Sequence, residues 1–344
     1  MNPLSPRRAG LLAAAKPEDD LSPGPPMTRA VVSIAIVNWN TRDLLRACLR
    51  SLPWDSAEVE LDVIVVDNAS RDDSVAMVRR EFPAVRLLRN RSNLGFVRAN
   101  NQALAAGRGD FLFMLNSDTE VRAGAIERLL QVLAAHPHVG AVGPRLLNGD
   151  GSPQVSTGPF PRLLHRWLPG RFETRYARDL EQRLAASPEP LAAVDWLGGA
   201  AVLTTRRVLA RIGALDERFY MWYDDLDWSR RLARAGLERW FVGDAVVVHH
   251  GRQSGAQLAN RTLAAQLLRS EYTYLRLHDG VAATWAAMAL RVAKAAAQLM
   301  KPGAAAKDEA RWRLRLHANL WSQFGCMPVT NWPAPDFPSS PRRG

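Results

Sequence analysis

The chain has 344 residues, 47% hydrophobic and 23% charged, enough to bury one large core with a smaller appendage. Its two cysteines, Cys48 and Cys326, are too few for a disulfide framework or a thiolate zinc site and fit a reducing compartment. Lys and Arg outnumber Asp and Glu by 45 to 34, and residues 259–344 hold 12 of those cations against 5 acids, a bias that attracts nucleic acid, anionic lipid or phosphorylated substrates without choosing among them.

Residues 1–29 are proline-rich, have no periodic apolar face and read as a disordered leader. The apolar run at 10–15 is too short for a secretory signal, and no run approaches the roughly 18 residues of a membrane span, so the chain is expected to stay cytoplasmic. From Val31 onward, apolar strand-like runs alternate with helix-like stretches. The runs are VVSIAIV at 31–37, LDVIVV at 61–66, VRLL at 85–88, FLFML at 111–115 and VGAVG at 139–143. Strands that are apolar on both faces and separated by helices predict an α/β fold whose mostly parallel sheet is covered on both sides.

In such sheets ligands bind beyond the carboxyl ends of the strands. Polar clusters at 38–40, 67–70 and 116–118 all sit at those ends, so the rim carrying Asn38, Asn40, Asp67, Asn68 and Asp118 is the candidate site. Asp67 can accept hydrogen bonds from a pyrimidine N–H and ribose hydroxyls, while Ser70 equally suits a helix cap. Asp118 offers a hard oxygen to Mg²⁺ or Mn²⁺, or alternatively caps a helix beginning near Arg122.

Residues 152–193 read as a long excursion over the rim, and 196–205 as partly strand-like. A helix is predicted to start near Asp224. Asp224, Asp225 and Asp227 crowd its first turn more densely than capping requires, and a carboxylate among like charges makes a plausible base. A strand at 240–248 ends in His249 and His250, where a neutral imidazole can complete a metal site. Beyond residue 255 the pattern is helical. Val281, Trp285, Met288, Val292 and Leu299 form one stripe and Thr284, Arg291, Lys294 and Gln298 the opposite one, predicting a basic amphipathic helix that either packs on the catalytic domain or lies on a membrane surface. The expected organisation is a leader at 1–29, a catalytic domain at 31–258, a helical region at 259–325 and a flexible tail at 326–344.

Taken together, VSIAIVNWN, VDNAS, NLGFVRANN, LNSD, LGGA, FYMWYDDLDW and VVVHHG resemble, in order, the inverting family 2 glycosyltransferases with the GT-A fold. The subgroup most similar contains rhamnosyl- and galactofuranosyltransferases. The resemblance implies a nucleoside diphosphate sugar donor, UDP- or dTDP-linked, and a glycan or lipid-linked acceptor, with peripheral membrane contact through the basic C-terminal region. It implies Asp67 at the nucleobase, with Asn38, Asn40, Asn68, Asn93 and Gly95 around the nucleotide. It further implies Asp118 and His249 as ligands of Mg²⁺ or Mn²⁺, Asp225 as the general base, and Trp196, Gly199 and Asp227 toward the acceptor. Three positions depart from the family pattern: Asn116-Ser117-Asp118 carries one acid where many relatives have two, Asp224 replaces a Glu, and Gly198 replaces a Ser.

A nucleotidyltransferase is the competing enzyme class, but it wants a glycine- and lysine-rich phosphate loop after the first strand, and residues 38–42 contain no glycine. A nucleotide-sugar-binding protein without turnover is also consistent with the fold. A nucleic-acid-binding module is disfavoured, and no nucleic-acid partner is expected, because the aromatics are not interleaved with basic residues.

Overall fold

The computed structural model describes residues 29–161, 190–251, 260–300 and 303–326, with Tyr176, Asp179, Leu180 and Gln182 between them. Most of the expected leader and tail, much of the 152–193 excursion and the boundary at 258 lie outside the described residues.

β1 (Ala30–Asn38), β2 (Val59–Asp67), β3 (Arg86–Arg89) and β4 (Phe111–Asn116) are parallel, in the order β3-β2-β1-β4. Helices α1 (Arg42–Arg50), α2 (Ser74–Glu81) and α3 (Phe96–Ala106) return the chain between them. Both faces are covered because the central residues of β1, β2 and β4 are apolar on both sides, with the buried Ser33 and Asp62 satisfying each other at 2.8 Å. Ile34, Ile36, Val63, Val65 and Phe113 pack on one side, and Ala35, Ile64, Val66, Leu112 and Met114 on the other. Asn38 is in register with Asp67, and Val37 with Asn116, so the three strand ends form one rim.

The second half follows as β5 (Thr119–Val121), α4 (Ala125–Ala135), β6 (Val139–Leu147), β7 (Thr157–Gly158), β8 (Leu191–Ala193), β9 (Trp196–Leu197), β10 (Ala201–Thr205), α5 (Arg206–Ile212), α6 (Asp224–Arg234) and β11 (Glu238–His249). The sheet continues β4-β10-β6-β11-β5, with β10 antiparallel between β4 and β6, and β8 also on β11. Asp118 does not cap a helix near Arg122. The chain instead forms β5, which pairs Thr119 with His249 and so draws the two candidate metal ligands together before α4 begins.

Helices α7 (Asn260–His278), α8 (Gly280–Leu299) and α9 (Ala304–Cys326) complete the described chain. The stripe expected on α8 is rotated. Thr284 is buried, donating its hydroxyl back to Gly280 O, while Val281 is 48% exposed. Arg291 faces inward to pair with Glu271 and covers the Tyr272 ring. The outward face is carried by Ala282, Ala286, Ala289, Ala293 and Met300, because alanine imposes no sidedness of its own. No helix among the described residues is long and apolar enough to cross a membrane.

Candidate active site

At the ends of β1 and β2, the polar side chains are more deeply buried than a binding surface alone requires. Asn38 is fully buried; its Nδ2 donates to Asp67 Oδ1 at 3.3 Å and Ser70 Oγ at 3.1 Å, and its Oδ1 accepts from Thr41 Oγ1 at 2.7 Å. Asp67 Oδ2 accepts from the Ser70 N–H at 3.1 Å. Asn40 accepts from the Arg71 N–H at 2.7 Å, which locks the β1 and β2 loops together. Asn68 forms a second bracket. Its Nδ2 donates to Asn93 Oδ1 at 2.7 Å and Gly95 O at 3.2 Å, and its Oδ1 accepts from Asn90 and from Leu94 N–H, both at 3.0 Å. Asn38, Asn40, Asn68 and Asn93 thus build the frame around Asp67. Gly95, at φ +89°, cannot carry a side chain, since a Cβ would lie 2.6 Å from the Tyr220 ring. Tyr220 in turn donates to Asn93 Oδ1 at 2.9 Å.

Strain concentrates at this rim. Among the described residues, the non-glycine residues with left-handed backbones are Asn40 after β1, Ala69 after β2, and Trp222 and Tyr223 before α6. Such conformations cost about 1–3 kcal/mol each and persist where the surroundings enforce them, typically at functional sites.

Across the rim, Asp118 Oδ1 lies 3.2 Å from His249 Nε2. His249 Nδ1 lies 2.6 Å from Gln154 Oε1, and Asn116 Nδ2 is 3.3 Å from Nε2. The buried Asn116 Oδ1 has no hydrogen-bond partner among the described residues. No cluster of three His, Cys, Asp or Glu able to hold a metal occurs among them. An oxygen and an imidazole nitrogen converging, with a further buried oxygen on the neighbouring Asn116, fit a hard cation that takes its remaining ligands from substrate phosphate and water. His250 is separate, its Nε2 2.7 Å from Glu120 Oε1.

The α6 acids divide into different environments. Asp225 Oδ2 accepts from the Gly199 N–H at 3.2 Å and Oδ1 from the Leu226 N–H at 2.9 Å. Burial pushes its carboxyl above the ordinary 3.8, although these two N–H groups oppose the rise. Asp224 is buried against an apolar pocket lined by Phe96, Met114, Leu197, Val202, Leu215 and Trp228. Burial first, and then the Asp225 charge, raises its carboxyl well above 3.8. Asp227 is also buried, and Arg231 Nε and His278 Nε2 occupy its two oxygens at 2.9 and 2.8 Å. Its side chain is therefore engaged within the fold and not presented to an acceptor.

Trp196 is half-buried, with its indole N–H donated to Pro159 O at 3.3 Å. At Gly198, a Cβ would stand 3.2 Å from Ser156 O, so a side chain there needs the Ser156 backbone to give by a few tenths of an ångström. Cys48 is fully buried, and burial pushes its thiol up to about 12, leaving it inert at neutral pH. Sequence reasoning missed Gln154, Asn90, Tyr220 and the pairing of Thr41 Oγ1 with Ser117 Oγ at 3.0 Å; each acts through a partner distant in the chain.

The family model described as Glycosyl transferase family 2 matches residues 33–189. The chain is 30% identical over 277 residues to the N-acetylglucosaminyl-diphospho-decaprenol L-rhamnosyltransferase of Mycobacterium tuberculosis, spanning 75% of this chain and 87% of that protein. It is 27% identical over 229 residues to the O-antigen biosynthesis protein RfbC of Myxococcus xanthus, covering 64% of this chain and 17% of that one. Among solved structures, it is similar to the mannosyltransferase PcManGT from Pyrobaculum calidifontis in complex with GDP-Man and Mn²⁺. That likeness has a TM-score of 0.51 at 20% identity, covers 88% of this chain and 90% of that chain, and shows the shared GT-A fold. With this fold and this ordered set of motifs, the chain belongs to glycosyl transferase family 2 and is a glycosyltransferase that takes its sugar from a nucleotide-sugar donor.

Proposed function

We propose that this enzyme is an inverting, divalent-metal-dependent transferase that moves a rhamnose-like or galactofuranose-like sugar from a dTDP- or UDP-sugar to a hydroxyl of a lipid-linked or cell-surface glycan acceptor. The observation that carries the chemistry is Asp225. Its carboxyl is raised by burial yet oriented by two backbone N–H groups, the combination that suits a general base. The sugar class and the lipid-linked acceptor are supported by the likeness to the mycobacterial rhamnosyltransferase.

In this reading Asp67, held by Asn38 and Ser70, receives the nucleobase and ribose. Asp118 and His249 hold Mg²⁺ or Mn²⁺, which when bound offsets the negative charge of the departing diphosphate. Asp225 accepts the acceptor hydroxyl proton as that oxygen attacks the anomeric carbon, and the configuration inverts. Asp224, buried beside Asp225 with its carboxyl raised well above 3.8 by burial, stays out of the proton transfer in this reading. A lipid-linked acceptor also calls for contact with a membrane surface, and α9 presents Lys307, Arg311 and Arg315, all exposed and four residues apart, along one face.

The test is a panel of nucleotide sugars with a polyprenyl-diphosphate-linked acceptor, followed by nucleotide release and product anomer analysis. Release from dTDP-rhamnose or UDP-galactofuranose, dependent on acceptor and abolished by EDTA, supports the reading. Transfer with retention, or full turnover in EDTA, overturns it.

A further inference from the structure

Gln154 lies on the loop after β6, far in sequence from every motif singled out above, yet it is bonded directly to His249. The loop folds back through a bridge between Leu147 and Pro153 and carries a hydrogen-bond chain from Asp150 to His249. Its polarity can be assigned from groups whose roles are fixed. The Asp150 carboxylate accepts from the Ser152 N–H at 2.9 Å and from Ser152 Oγ at 2.6 Å, so the Ser152 hydroxyl proton is committed there. Ser152 Oγ then accepts from Asn148 Nδ2 at 2.9 Å, and that same nitrogen faces the Pro153 carbonyl at 3.4 Å. Asn148 Oδ1 accepts from Gln154 Nε2 at 2.7 Å. Gln154 Nε2 also faces the His249 carbonyl at 3.2 Å.

Backbone carbonyls cannot donate, so neither amide can be flipped without setting oxygen against oxygen. The Gln154 atom turned toward the imidazole must therefore be Oε1, an acceptor, and the nitrogen 2.6 Å away must carry the proton. In the neutral ring the other nitrogen, Nε2, keeps its lone pair, pointed at Asp118 Oδ1 at 3.2 Å. A lone pair facing a carboxylate is unfavourable unless a proton or a metal cation stands between them. Asn116 Nδ2, at 3.3 Å, supplies only a long neutral contact.

We infer that Gln154 is a positioning residue that holds His249 as the Nδ1–H tautomer, with its polarity set through Asn148 and Ser152 by Asp150, so that Nε2 is presented as a ligand to a divalent cation. This rests on the reading of Asp118 and His249 as the metal pair. Outer partners of this kind fix ring orientation and tautomer, and their loss typically weakens metal affinity about 10- to 100-fold.

The experiment uses the full chain, metal-free, with ¹⁵N-labelled histidine rings, and a separate Mn²⁺ titration followed by electron paramagnetic resonance. His249→Ala assigns the His249 signals. At a pH where the ring is neutral, the wild-type His249 should show protonated Nδ1 and unprotonated Nε2. Gln154→Met, close in shape but a poor acceptor, should lose that signature and bind Mn²⁺ about 10- to 100-fold more weakly. A neutral wild-type ring protonated at Nε2, or equal Mn²⁺ affinity in the wild type and Gln154→Met, overturns the inference. Should the variants fail to fold, the wild-type spectrum decides alone. If the wild type binds no Mn²⁺, the metal reading fails, while the ring spectrum still tests the tautomer assignment.

Discussion

His278 Nε2 lies 2.8 Å from Asp227 Oδ1, joining the last turn of α7 to the first turn of α6 two residues beyond Asp225. Ser270 Oγ donates to Met221 O at 2.8 Å, and the Tyr223 and Tyr274 rings meet at 5.5 Å, so α7 braces the segment that presents the base. Breaking a buried pair from one side costs about 3–5 kcal/mol. Arg231 is 22% exposed and keeps bonds to Ile212 O and Ala214 O, so the low end applies to Asp227→Ala. A loss of about 3 kcal/mol in urea unfolding is expected. A raised acceptor KM at unchanged stability would return Asp227 to an acceptor role.

Asp225→Asn keeps size and most hydrogen bonding but removes the proton acceptor. Turnover should fall about a hundredfold or more while donor affinity, measured by calorimetry, barely changes. Because burial raises the wild-type carboxyl above 3.8, the acidic limb of its pH–rate profile should lie above that value, with activity lost as pH falls through it. A limb at or below 3.8 contradicts the assignment.

Asp224 makes a prediction about stability. Its folded-state pKa is raised, so the native chain binds a proton that the unfolded chain releases above about 3.8. The contribution is fully present below that value and declines as pH rises through the folded value. Asp224→Asn removes this linkage. The variant should therefore gain in Tm relative to wild type as pH increases toward neutrality, with only a mild effect on turnover. Parallel melting curves across the pH range would refute this.

For the metal, Asp118→Ala should abolish turnover with the fold intact by circular dichroism. His249→Ala should weaken Mn²⁺ binding more than His250→Ala, since His250 is turned to Glu120 at 2.7 Å. The reverse ranking would move the site by one residue.

On anionic vesicles, the full chain should float, and Arg311→Gln with Arg315→Gln should weaken binding about thirtyfold, at about 1 kcal/mol per cation near the surface. Equal flotation of the double variant, or none by the wild type, removes the membrane contact.

The parallel half of the sheet was legible because strands buried on both faces read as unbroken apolar runs, and strand-end polar residues such as Asp67 follow directly from them. β5 was not, because three residues cannot display a period. The inner face of α8 was misread because its alanines carry no sidedness and Arg291 finds its counter-charge on another helix. Asp227 and His249 were visible as residues, but His278 and Gln154 were not, since the partners lie 51 and 95 positions away. Gln154 sits at the start of the 152–193 segment, which reads as an excursion over the rim without marking any one residue.

The position of β10 bears on how the chain reaches this structure. β6 pairs with β10 and β11 but not with β4, so a single antiparallel strand joins the half carrying Asp67 to the half carrying Asp225 and His249. During synthesis, residues 30–116 can pair locally as they emerge, whereas β4 keeps an open edge until Thr205 has left the ribosome. With that exposed edge, across a long sequence separation, completion of the central sheet is the stage expected to be slow and aggregation-prone. Substitutions within residues 201–205 should therefore affect yield more than their burial alone would indicate.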